Sequence, residues 1–165
     1  MVHHRKQTLS GMITRLLDQV LPGRRGPEDW LRSGDDLMWE ARLDEAFSCF
    51  EEAVRREPGN AAAWKRRGVA LGLMGFFPEA AGSFARAASV DPSDRGAWMC
   101  RGFCLARTLH YQEALWCFVQ VLQRYPEDGY AQYWCDLLEE EIEGRGPGLG
   151  WAARPEPDSA VLSRG

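Results

Sequence analysis

Histidine is scarce in this chain, with three in 165 residues, and His3, His4 and His110 have no acid or nucleophile in register. The pairings that acid–base or nucleophilic catalysis requires are therefore missing, and so is any glycine loop built to cradle phosphate. No apolar run approaches the roughly 20 residues of a membrane-spanning helix. The early basic residues are followed by a segment broken by Thr14, Arg15, Asp18 and Gln19, which is not the pattern of a signal peptide. A basic stripe is absent from the body: residues 27–143 carry a net charge of −9, against +4 for residues 1–26 and +1 for 144–165. An acidic body argues against nucleic acid as a partner. Five cysteines, an odd number with no framework spacing, read as reduced thiols in a cytoplasmic protein.

What the chain does have is a period. Trp30, Trp64 and Trp98 stand 34 residues apart, and Gly34, Gly68 and Gly102 follow them at the same interval. Leu37, Leu71 and Leu105 continue the pattern, then Ala46, Ala80 and Ala114, Phe50, Phe84 and Phe118, and Pro58, Pro92 and Pro126. A period kept three times without insertion is the mark of a solenoid of repeated supersecondary units.

Each unit resolves into two helices. The first begins near Pro27, Ala61 and Arg95, and the second near Asp44, Pro78 and Gln112. Asn60, Asp94 and Asp128 share one repeat position and suit an N-cap, where a side-chain oxygen accepts from a free backbone N–H. Gly26 takes that place before Pro27, whose missing N–H is harmless at the first helical position. The prolines end each second helix. Glycine inside a helix costs about 1 kcal/mol relative to alanine, so three glycines at one position imply close packing, with alanine and phenylalanine of the second helix opposite them.

The flanks follow the same register. Met12, Ile13, Leu16 and Val20 fall where the second helix of a repeat has its apolar face, so residues 1–26 read as an N-terminal amphipathic capping helix and linker. A membrane-surface helix is the competing reading, since Arg5, Lys6, Arg24 and Arg25 flank it. Residues 27–60, 61–94 and 95–128 are the three repeats, and 129–143 is a closing helix. Residues 144–165, rich in glycine and proline, are expected to be a disordered tail; Leu149 and Trp151 in it are candidate anchors.

Tryptophan, glycine, alanine, phenylalanine and proline at these spacings resemble the tetratricopeptide repeat over residues 27–128. Ser33, Arg67 and Arg101 depart from it where the family prefers leucine, and Leu37, Leu71 and Leu105 stand where it prefers tyrosine. The resemblance implies an all-α fold, an α-solenoid of stacked antiparallel helix pairs in a right-handed superhelix. It also implies a concave groove, lined by the first helices, that binds peptides or protein segments. At 100° per residue, the side of these helices away from the tryptophans carries Leu31, Asp35, Met38 and Trp39, then Lys65, Val69 and Leu73, then Met99, Phe103 and Arg107. The closing helix adds Tyr130, Tyr133 and Leu137, with Glu140 and Glu141 at the rim. Family members that hold chaperone C-termini use lysine, arginine and asparagine on this face; Lys65 and Arg107 alone make a poor clamp for a carboxylate.

The expected function is thus a non-catalytic scaffold or adaptor that binds an apolar peptide or helix. The alternative is a structural subunit of a larger or self-associating assembly with no separable peptide site. No cofactor and no metal are expected, and a monomer is favoured. Cys100 and Cys104, one turn apart, with Cys117 and Cys135 in reach through the stack, are the candidate soft-metal or redox group. Buried cysteine more often serves as a small hydrophobe, and Cys49 and Cys117 share a repeat position, which suits packing.

Overall fold

The computed structural model describes residues 25–146 together with 148 and 149. The expected N-terminal helix and the tail beyond Leu149 lie outside the described residues. Within them are seven helices and no strand: α1 (Pro27–Trp39), α2 (Leu43–Arg56), α3 (Ala61–Leu73), α4 (Phe77–Val90), α5 (Arg95–Arg107), α6 (Tyr111–Arg124) and α7 (Gly129–Ile142). The chain is an all-α array of helix pairs. It divides into two compact units at Pro58–Gly59. In the first, α1 packs on α2; in the second, α3 to α7 pack each on the next.

Capping chemistry sets the starts. Asn60 accepts from the Ala63 N–H at 3.0 Å, Asp94 from Ala97 at 3.1 Å, and Asp128 from Ala131 at 3.0 Å. Two of these caps are also charged partners of the preceding first helix. Lys65 on α3 meets Asp94 at 2.6 Å, and Arg95 on α5 pairs with Asp128. The arginine beside it and the donated Ala131 N–H hold the Asp128 carboxyl down at about 2.

Each first helix ends in the same way. Ala41, Gly75 and Leu109, again 34 residues apart, all have positive φ, at 58°, 87° and 65°. The next N–H reaches back to Leu37, Leu71 and Leu105 at 2.9 Å in every case, and the positive-φ residue itself donates to Met38, Gly72 and Ala106. This is the Schellman arrangement, which satisfies carbonyls that a helix end leaves bare. It turns the chain sharply enough that the second helices start one residue earlier than the proline and acid signals imply.

The interior follows the small-against-large plan. Ala46, Ala80, Ala114, Phe50, Phe84 and Phe118 are buried. A Cβ placed on Gly68 would stand 2.9 Å from the Phe84 ring and one on Gly102 2.8 Å from Phe118; the approach of Phe50 to Gly34 is tighter still. Each phenylalanine ring lies directly on the backbone of its facing helix, which only glycine permits.

Candidate functional site

A groove of about 360 Å³ opens in the second unit between α3, α5 and α7. Its floor is Gly68, Phe84, Cys100 and Cys104; its walls are Val69, Leu73, Phe77, Met99, Phe103 and Tyr130. The repeat geometry explains the opening. Gly68 has no side chain because Phe84 lies beneath it, and a Cβ on Gly72 would meet nothing within 4 Å. Two glycines one turn apart on α3 therefore leave a trough that the side chains of α5 line opposite.

The walls are apolar and, apart from the buried Met99 and the half-buried Phe77, exposed. Leu73 is 62% and Tyr130 57% accessible, with Phe103 also exposed. Phe103 and Tyr130 are nonetheless fixed in place by Trp134, which is buried. Trp134 stacks on Phe118, with ring centres 5.6 Å apart and planes 9° apart, and meets Phe103 and Tyr130 edge-on at 6.0 and 6.3 Å. Edge-on and stacked contacts of this kind suit the charge distribution of aromatic rings. Rigid aromatic side chains on a buried support lose little conformational freedom when a partner covers them.

Charge is kept out of this groove. The Lys65 ammonium is held by Asp94, and the Arg107 guanidinium lies 4.7 Å above the Phe77 ring, outside the lining. Gly96 leaves room for the first of these pairings. The two thiols of the floor are protonated at neutral pH. Burial pushes Cys100 up, and burial with the neighbouring thiol pushes Cys104 up to about 12. Thiols in that state are poor nucleophiles. Among the described residues no group of three or more His, Cys, Asp or Glu is placed to hold a metal ion.

Of the residues the sequence pointed to, Val69, Leu73, Met99, Phe103 and Tyr130 come together in this groove. Tyr133 is exposed beside Trp134, and Leu137 is half-buried further along α7. In the first unit Leu31 is buried, Asp35 and Met38 are half-buried, and Trp39 is 90% exposed at the end of α1. Glu141, expected at the groove rim, lines a separate cleft with His110, Tyr111, Glu113 and Ile142. Phe77, Cys100 and Cys104 were not anticipated as lining. Phe77 escaped notice because it belongs to a second helix, and the cysteines because their spacing was weighed for metal rather than for the groove.

No helix of the described residues is long and apolar enough to cross a membrane. No curated protein sequence matches the chain. A family model for the tetratricopeptide repeat matches residues 31–71. Among solved structures the chain is similar to the TPR domain of Arabidopsis OM64, at 21% identity and a TM-score of 0.65, covering 71% of this chain and 97% of that one. It is similar to the second TPR domain of human RPAP3, solved in complex with the HSP70 peptide SGPTIEEVD, at 21% identity and 0.63, over 69% and 98% of the two chains. It is similar also to MamA, at 18% identity and 0.70, over 93% and 90%. The 34-residue period, the helix pairs and the family model over residues 31–71 agree on the fold of tetratricopeptide-repeat domains.

Proposed function

We propose that the protein is a non-catalytic adaptor whose groove between α3, α5 and α7 takes the apolar side chains of a partner protein segment. The observation that carries this reading is the exposed row of Leu73, Phe103 and Tyr130 around a trough with two glycines on one bank. Exposed aromatics with apolar neighbours are the composition of interface cores, and an exposed apolar patch on a rigid support marks an interaction site. The human RPAP3 and yeast Sti1 domains were solved with peptides of heat-shock chaperones, which makes a peptide a natural ligand for this architecture. Here the groove is apolar and Lys65 is engaged by Asp94, so the reading favours apolar side chains over a terminal carboxylate.

Affinity capture with the whole chain, followed by titration of the captured partner, tests it. Phe103→Ala should weaken binding by about 2 kcal/mol, the size of an interface hot spot, with a melt run beside it to exclude unfolding. Leu73→Ala, at a side chain that is 62% exposed, should weaken binding with the melt little changed. If both variants fold and bind as the parent does, the groove is not the site.

A further inference from the structure

Arginine occupies the same repeat position in two successive units, and the two copies are used differently. Arg67 on α3 lies 5.8 Å from the Trp64 ring and donates to the buried hydroxyl of Ser83. Thirty-four residues on, Arg101 lies 5.8 Å from Trp98, but the place of Ser83 is taken by Cys117, a buried thiol and a weak acceptor. The residue before it changes as well: Gly82 becomes Trp116, whose ring centre is 5.2 Å from that of Trp98 at 75°. Arg101 sits 5.7 Å from this second indole. Two coupled changes have exchanged an internal hydrogen bond for a second aromatic neighbour.

We propose that Arg101, with Trp98 and Trp116, is a second docking point, distinct from the groove, for an aspartate or glutamate side chain of a partner protein. The guanidinium makes no hydrogen bond and no ion pair among the described residues, so its planar fork of N–H donors is open. Contact with two indoles holds the plane in position and limits its hydration, which is the preorganisation that favours a two-point bond to a carboxylate. Trp98 is itself fixed, through its indole N–H to the Pro92 carbonyl at 3.0 Å. Trp116 is 49% exposed and offers an apolar shelf beside the charge. Tryptophan and arginine are the residues over-represented at the centres of interfaces. A doubly charged phosphate calls for a cluster of arginines.

The test is a titration of the ¹⁵N-labelled full chain with a capped hexapeptide carrying one aspartate between two leucines, followed at the Arg101 Nε–H and the Trp116 indole N–H. Both signals should shift saturably, and the asparagine version should bind about tenfold more weakly, the ratio expected when a charged hydrogen bond becomes a neutral one. Arg101→Lys keeps the charge and the stem but loses the fork, and should weaken binding about as much. Cys117→Ser restores the internal acceptor of the preceding unit and should weaken binding without altering the surface. A melt of each variant guards against loss of fold. Equal binding of the aspartate and asparagine peptides would overturn the proposal. So would unchanged binding by Arg101→Lys, tighter binding of a phosphoserine peptide, or shifts confined to Phe103 and Tyr130.

Discussion

Leu109 stands in the left-handed region, at φ 65°, where the preceding repeat has Gly75. An L-residue with a γ-branched side chain is disfavoured there by about 1–2 kcal/mol, and this side chain, 59% exposed, regains little by burial. Leu109→Gly should therefore stabilise the chain by about 1 kcal/mol, visible as a higher denaturant midpoint, while Gly75→Ala should lower it. A Leu109→Gly variant no more stable than the parent would mean that the leucine side chain contributes packing equal to the backbone strain. The buried thiols give a second expectation at this scale. Burial lifts Cys117 and Cys135 to about 11 and Cys104 to about 12, from an ordinary 9.0. The folded chain thus holds these protons more tightly than the unfolded chain does. The associated stability is whole below about pH 9 and is lost as pH rises through 11 to 12. Urea midpoints measured at pH 7, 9 and 10.5 should fall over the last interval, and fall less in Cys104→Ala.

At the scale of the helix, the contact between glycine and phenylalanine decides how close a pair can come. The three copies are not equal: the phenylalanine ring is nearest at Gly34 and stands off slightly more at Gly68 and Gly102. Alanine at any of the three should overpack, at a cost of about 1–3 kcal/mol, and Gly34→Ala should cost more than Gly68→Ala. Thermal melts of the two variants check the order, and Phe84→Leu added to Gly68→Ala should recover part of the loss. Much of this was legible in the sequence, because a glycine repeated at a helix-interior position has few explanations other than a close approach. The helix starts were legible for a similar reason, since asparagine and aspartate caps carry their own chemistry. The ends of the first helices were not. Of Ala41, Gly75 and Leu109, only Gly75 has the composition of a Schellman turn, so two of three identical turns leave no residue-level mark.

For the molecule as a whole, the register located the side of the helices that lines the groove better than it located the lining residues. Angular position on an isolated helix grouped Val69, Leu73 and Phe103, which line one groove, but it placed Leu31 on the same face although that side chain is buried. It missed Phe77, because a face drawn on first helices alone omits what a second helix contributes at the turn. What a single-helix projection cannot contain is the neighbour, and the neighbour decides which of the candidate side chains stay open. The groove described here uses α3, α4, α5 and α7 only, all within the unit that begins at Gly59. If that groove is the binding site, a chain starting at Gly59 should keep the helical circular dichroism of its five helices. It should also bind the captured partner within about threefold of the whole chain, a difference of less than 1 kcal/mol. Trp39, 90% exposed on α1, is the residue whose loss this truncation probes most directly. A fragment that folds but binds tenfold or more weakly would move part of the interface onto the first unit, and Trp39→Ala in the whole chain would then be expected to reproduce the loss.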